Sequence, residues 1–514
     1  MNSARVPLLE RAKAEPDGVA IQSDVNGSAT WAEVADATMR LADAIRSFDL
    51  GDDRRLLVIA RNRPSTLVAH AAAALGEAAS VPVNFHLTSG EISFIAAESG
   101  ARLAFVDSTT LKAARTALAG TDVVIVELSD QGIAGPGLDE FVAGHQPIEL
   151  RDDQPVIPSL LFTSGTTGRP KAVQLPPKTV GATATLAGFV EHSTSHRLAG
   201  LGAHLVVGPM YHNGPLTAVR LMLAGVPIVV HDRFDAEGTL AAIERHRVES
   251  SVMVPTHFVR LLALPDDVRD RYDMSSIRQV AHTGGKCPID VKRAMIEWWG
   301  PVLSESYGGT ESGTVCSINS TDWLAHPGSV GRAIPPFEAL VVDDEGDEVA
   351  RGVEGRLYFR DTTGRGIVYE GDPVKTAEAH IAPGVFTLGE IGYIDDDGFV
   401  FITDRFSDMV VSGGVNIYPA EAEQALQRHP AVADVACIGV EDAEMGERLI
   451  GLVQLAGGDH DVDAVTAELS KWCRESLAGY KCPKELIVVA EIPRNPMGKV
   501  DKKALRATYE GGRS

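Results

Sequence analysis

The sequence predicts an α/β protein with a large layered N-terminal part and a small α+β unit at its C-terminus. Three patterns carry that expectation. Between residues 30 and 260 amphipathic stretches alternate with short β-branched runs, a layering that suits parallel strands covered by helices. From about residue 330, Gly and Asp punctuate β-type segments, which read as hairpins or a small barrel. After "DRFSD" (404–408) come helix, strand, strand and helix candidates, and a unit of about 100 residues is an ordinary domain size.

Taken in order, the first helix candidate is "WAEVADATMRLADAIRSF", followed by the strand "RLLVIA", the helix "STLVAHAAAALGEAA" and the strand "VPVNF". "RLAFVD", "DVVIVEL", "HLVVGPM" and "VPIVVHDRF" continue the strand series. "EALVVDDEGDEV", "EGRLYFRD" and "GYIDDDGFVFITD" form the punctuated β region. "AEAEQALQRH", "VADVACIGV", "LIGLVQLAG" and "DAVTAELSKWCRESL" close the chain. There is no internal repeat.

At 514 residues and 44 % hydrophobic, the chain exceeds the roughly 250–300 residues at which single cores stop growing. Net charge is −23 without any Lys/Arg-rich tract, which argues against nucleic acid or an anionic membrane as partner. The five cysteines are scattered, with no C-x-x-C pair and no histidine cluster at zinc spacing, so neither a disulfide framework nor a structural metal is indicated. No apolar run reaches the roughly 18 residues of a membrane span, and "MNSARVPLLERAKAEPDG" lacks a signal-type apolar core. A soluble, cytoplasmic protein is expected.

The chemistry centres on "LFTSGTTGRPKAVQL" (161–175). The apolar run "VIPSLLF" (156–162) reads as a buried strand delivering the chain into a glycine loop that ends in Lys171. Gly165 and Gly168 would let N–H groups converge, the hydroxyls of Ser164, Thr166 and Thr167 would add donors, and Lys171 would add charge. It is not a Walker A loop. By composition alone, a solvated turn is the competing reading.

Further motifs follow: "PMYHNGP" (209–215), "VPTHFVRLL" (254–262), "HTGGKCP" (282–288), "ESYGGTESG" (305–313), "HPGSVGRAI" (326–334), "DRFSDMVVSGGVNIYPAEAE" (404–423) and "PRNPMGK" (493–499). With the glycine loop and in this order, they resemble the signatures of the adenylate-forming superfamily over nearly the whole chain. That resemblance implies an AMP-binding domain at 1–405 and a mobile lid domain at 406–514 that rotates about a hinge near Ser407. It also implies an acyl-CoA synthetase reaction. A carboxylate attacks the α-phosphorus of Mg-ATP to give an acyl-adenylate and pyrophosphate, and the thiol of coenzyme A then displaces AMP to form the thioester.

Carried over residue by residue, the resemblance puts Thr163, Ser164, Gly165, Thr166, Thr167, Gly168 and Lys171 at the phosphates. Thr310 falls at the α-phosphate, Glu311 at Mg²⁺, and Tyr307 with Gly308 at adenine, flanked by Gly284, Gly285 and Lys286. Glu390 and Arg405 fall at the ribose. Lys499 would bridge carboxylate and α-phosphate during adenylation, and Gly413 and Gly414 would border the pantetheine passage of CoA. His212 would lie near the acyl carboxylate, with a structural histidine as the alternative. Val206, Met210, His212, Thr283, Gly284, Gly308 and Gly309 would wall the acyl pocket, whose small residues imply a bulky or long hydrophobic acid.

Some positions depart from the pattern: Leu388-Gly389-Glu390 stands where relatives read Thr-Gly-Asp, and Gly285-Lys286, Ala172 and Ser407 are also unusual. An enzyme impaired in adenylation, acting on a supplied acyl-adenylate, is therefore an alternative to a complete ligase. Loading of an acyl carrier protein and non-catalytic acyl-adenylate binding are two more. No aspartate stands in "PMYHNGP" to pair with an amine, which disfavours amino-acid substrates. The oligomeric state is left open, homodimer included.

Overall fold

The computed structural model describes residues 5–163, 171–175, 183–343, 345–369, 372–405, 408–457, 461–493 and 500–510. Of Thr163, Lys171, Gln174, Asp404, Arg405, Lys503 and Glu510 only the backbone is described. The largest sheet has 15 strands. Its parallel part orders Val19–Ser23, Ile228–Val230, His204–Val206, Ser250–Met253, Gln279–His282 and Leu303–Gly309 side by side. The strands "HLV" and "IVV" are buried at every position, as strands covered on both faces require.

The sheet changes character after Leu303–Gly309. A tight turn reverses the chain into the antiparallel strand Gly313–Asn319, and Ser329–Ala333, Val400–Arg405, Glu390–Ile394 and Gly355–Asp361 extend it antiparallel. These strands are the Gly/Asp-punctuated region, joined to the parallel strands. The carboxyl ends of the parallel strands face one side, and the loops leaving them (207–212, 254–257, 283–286 and 310–312) carry the quoted motifs. Ligand sites of α/β sheets lie outside those strand ends.

A second, four-stranded parallel sheet joins Ala79–Pro82, Arg55–Ile59, Leu103–Val106 and Val124–Glu127. The helix Pro64–Leu75 is buried at every position except Ala74, and its alanines allow close packing on both sides. The run "VIPSLLF" becomes a strand only at Leu160–Thr163, paired with Lys171–Gln174 in a two-stranded ribbon.

The C-terminal unit is built around the long hairpin Val432–Asp442 and Gly446–Leu455, flanked by Val410–Ser412, Val415–Ile417 and Glu485–Val488. The helices Pro419–Gln427 and Val462–Ser476 cover it, with Leu426, Val465 and Leu469 in its core. Strands of residues 5–405 pair only with one another, and those of 410–488 likewise. Among the described residues no helix is long and apolar enough to cross a membrane.

Candidate active site

The loops at the strand ends surround a cavity of about 1660 Å³ that also receives residues from the C-terminal unit. One wall is the loop 207–212. Asn62, 2 % exposed, donates to the carbonyls of Gly208 (2.8 Å) and His231 (3.1 Å) and accepts from the Met210 N–H (2.9 Å). That triple grip fixes the turn that presents His212 at the start of the helix Asn213–Leu223. Among the described residues His212 Nε2 is buried without a hydrogen-bond partner, and burial pushes the ring down to about 4. The imidazole is therefore neutral at pH 7, with an unsatisfied nitrogen at the cavity wall.

Another part of the wall is set by the turn at 310–312. Ser312 Oγ accepts from the Gly309 N–H at 3.1 Å and donates to the Gly313 carbonyl at 2.8 Å. A side chain at Gly308 would collide with the Gly313 carbonyl, so glycine is required there. Thr310 and Glu311 both line the cavity. The Tyr369 hydroxyl bonds to Glu311, and burial together with that carboxylate raises the phenol's pKa. Glu311 pairs with no described lysine or arginine, so its oxygens suit a hard divalent cation.

Glu390 is 8 % exposed and accepts a 2.6 Å hydrogen bond from the Tyr307 hydroxyl. The carboxylate of this unusual position is thus engaged by Tyr307. Arg405 is the cross-strand partner of Glu390. Thr163 and Lys171 face each other at the open end of the ribbon. Ser164, Gly165, Thr166, Thr167, Gly168, Ser407 and Lys499 lie outside the described residues.

Gly413 and Gly414 cross to the N-terminal part. Gly284 (φ 83°) and Gly414 (φ 80°) both lie in the left-handed region. A Cβ on Gly284 would sit 3.4 Å from the Gly414 carbonyl oxygen, and one on Gly414 would sit 2.7 Å from Val254 Cγ1. At Gly414 there is no room for a side chain, and at Gly284 the left-handed backbone favours glycine. Two ion pairs hold the same arrangement. Arg260 Nε donates to Glu444 at 2.8 Å. Lys481, 2 % exposed, donates to Glu91 and Glu421, each at 2.7 Å. Glu91 is the third residue of a capping box with Thr88 on the helix Ser89–Ser99, and its other oxygen also accepts from the Ala478 N–H at 3.1 Å. Burial pulls Lys481 down, but Tyr480, Glu421 and Glu91 carry it above its ordinary value.

Beneath the cavity lies a second buried cluster. Lys292, fully buried, donates to Glu305 at 2.5 Å and stands 4.8 Å from the Trp323 ring centre. His282 Nε2 is 3.5 Å from Glu305.

Thr283, Gly284, Gly285, Lys286, Tyr307, Gly308, Gly309, Thr310, Glu311, Glu390, Gly413 and Gly414 all line the cavity with His212. Val206 and Met210 do not. Each is 2 % exposed within the hydrophobic core, because Val206 lies inside a buried strand and the Asn62 grip turns Met210 inward while Tyr211 and His212 face the cavity. Sequence reasoning missed His257, Lys481, Glu91 and the cationic groups Arg197 and Arg220. His257 stood in the quoted "VPTH" segment; the others join the site only through contacts distant in sequence.

The match to known proteins follows this geometry. The AMP-binding enzyme family matches residues 8–366, and the AMP-binding enzyme C-terminal domain matches 421–499. An indoleacetate–CoA ligase of Aromatoleum aromaticum is 30% identical over 93% of this chain and 92% of its own length. A 2-succinylbenzoate–CoA ligase of Bacillus licheniformis is 32% identical over 96% and 97%. The o-succinylbenzoate CoA synthetase of Bacillus subtilis, bound to the product analogue OSB-NCoA, superposes with a TM-score of 0.79 at 26% identity, covering 100% of this chain and 99% of that one. The same enzyme with its acyl-adenylate intermediate OSB-AMP gives 0.63 at 25% identity, over 98% and 99%. With the family matched over most of its length and CoA ligases among its full-length relatives, the chain belongs to the AMP-binding enzymes and is an AMP-forming acid–thiol ligase of the acyl-CoA synthetase type.

Proposed function

We propose that the chain converts a carboxylic acid with an apolar body to its CoA thioester through an acyl-adenylate, and that its C-terminal unit turns between the two half-reactions, with the described arrangement serving the second. The observation that carries this is the seating of Gly414 against Gly284 and Val254, which puts the C-terminal glycine turn on the cavity wall. The higher TM-score to the product-analogue complex than to the acyl-adenylate complex of one relative supports the same arrangement.

In this proposal Lys171 and the loop 163–168 hold the β- and γ-phosphates, Thr310 the α-phosphate and Glu311 the Mg²⁺, which would neutralise phosphate charge. Tyr307 and Gly308, with Gly284, Gly285 and Lys286, enclose adenine, while Glu390 and Arg405 take the ribose. Neutral His212 offers its free nitrogen to the reacting carboxyl group. Lys499 acts in adenylation after the unit turns about the segment near Ser407, dividing the chain at 405/406. Gly413 and Gly414 border the thiol's path. The engagement of Glu390 by Tyr307 favours a second reading, an enzyme weak in adenylation that mainly converts a supplied acyl-adenylate.

Acids offered with ATP and Mg²⁺, with and without CoA, and assayed separately for pyrophosphate, AMP and thioester, test both. Thioester formed with stoichiometric AMP supports the complete ligase. Thioester formed from synthetic acyl-AMP but not from acid and ATP supports the second reading. Neither product with any acid or acyl-AMP contradicts both.

A further inference from the structure

The far side of the cavity carries charge of the sign opposite to the chain's own. Residues 154–231 contain one acidic residue, Glu191, against five lysines and arginines, in a chain of net charge −23. Three of those cations (Arg169, Lys171, Lys178) accompany the phosphate loop. The other two, Arg197 and Arg220, line the cavity together with His192 and His196.

Arg220 leaves the last turns of the helix Asn213–Leu223, and its Nη1 donates to His192 Nε2 at 2.8 Å. A guanidinium has five N–H donors, and no other hydrogen bond joins the Arg220 side chain to the described residues. Burial alone pushes Arg220 down to about 10 and lowers Arg197, with no carboxylate opposing it at either. Glu191 lines the cavity nearby but pairs with neither. His196 is pushed down to about 4 by burial and by Arg220, Arg197 and His192 around it, so four basic groups crowd one region. A crowded guanidinium without a counter-charge is costly unless an anion completes it. Its planar donor fork matches a carboxylate.

The position sets the ligand's shape. His212 caps the helix at its start and Arg220 stands eight residues on, about 12 Å along the axis at 1.5 Å per residue. Leu216, Val219 and Phe189, all buried, line the cavity in the same part of the fold. Building on the ligase reading above, we propose that the acid carries a second carboxylate at its far end, received by Arg220 with Arg197 beside it, while the carboxylate near His212 is activated. The substrate class is thus an α,ω-dicarboxylate, or a ring system with a distal acid, of roughly ten carbons in length.

Calorimetric titration with dicarboxylates of six to twelve carbons and with the matched monocarboxylates tests this on the wild type, Arg220→Met and Arg220→Lys. At least one dicarboxylate should bind the wild type tenfold or more tightly than its monocarboxylate. Arg220→Met should abolish that preference and Arg220→Lys should keep part of it. Equal or weaker binding of every dicarboxylate overturns the proposal, as does a preference unchanged in Arg220→Met. Should Arg220→Met fail to fold, the wild-type ratio and Arg220→Lys decide. Thioester formation is assayed in parallel: tight dicarboxylate binding without turnover upholds the subsite and counts against the ligase reading, while turnover of monocarboxylates alone does the reverse.

Discussion

Among the described residues two lysines, Lys292 and Lys481, are almost wholly buried, and their surroundings differ in one respect. Lys292 pairs with Glu305 inside the N-terminal part, whereas Lys481 joins Glu421 of its own unit to Glu91 of the other. The first cluster involves no residue of the C-terminal unit. The second spans both units, so its free energy counts toward the seating described here. Buried ion pairs add little net stability, but breaking one by removing a single partner costs much; a shared buried pair is therefore suited to discriminating between arrangements. His70, His204, His212 and His257 complete the contrast: burial holds each below its ordinary value.

The largest effect is expected from acid. Burial pushes His70, His204 and His257 down to about 3 and His212 down to about 4, against about 6.5 when unfolded. Their stability contribution is complete above about pH 6.5 and is lost as pH falls toward the folded values, because the unfolded chain binds the protons. The urea midpoint should hold down to about pH 7 and then decline steadily toward pH 4; a flat midpoint would show that these rings titrate normally.

Next, Lys292→Met should lower unfolding stability by about 3–5 kcal/mol and reduce both half-reactions only in proportion to the folded fraction. A selective loss of one half-reaction would erase the contrast between the clusters. Lys481→Met should slow thioester formation from acyl-adenylate on the order of 100-fold, equivalent to about 3 kcal/mol, and leave ATP–pyrophosphate exchange within about threefold. Equal losses in both would make Lys481 a purely structural residue. Smallest, Glu390→Asp withdraws the carboxylate from Tyr307 and should lower the KM for ATP by about tenfold; a raised KM would make the Tyr307 bond part of ribose recognition.

The sequence displayed what is local. Helices and strands appeared where periodicity placed them, and Tyr307, Thr310 and Glu311 were legible because one tight hairpin carries all three. The two glycine pairs that meet, Gly284 with Gly285 and Gly413 with Gly414, were named without any sign that they touch. Lys481 carried no signal in the sequence because its acidic partners stand 60 and 390 residues away. Val206 and Met210 were misplaced because adjacency to a motif does not tell which face of a strand or turn looks inward. Arg220 sat in an apolar helix whose cavity-facing side depends on packing against a neighbouring helix.

The claim that this is the thioester-forming arrangement can be tested by locking it. Arg260 and Glu444 meet across the two units, and all five native cysteines are buried, so Arg260→Cys with Glu444→Cys can be joined by a short bis-maleimide. The locked enzyme should still turn acyl-adenylate and CoA into thioester while losing ATP–pyrophosphate exchange. Exchange that survives the lock, or thioester formation that does not, would contradict the account.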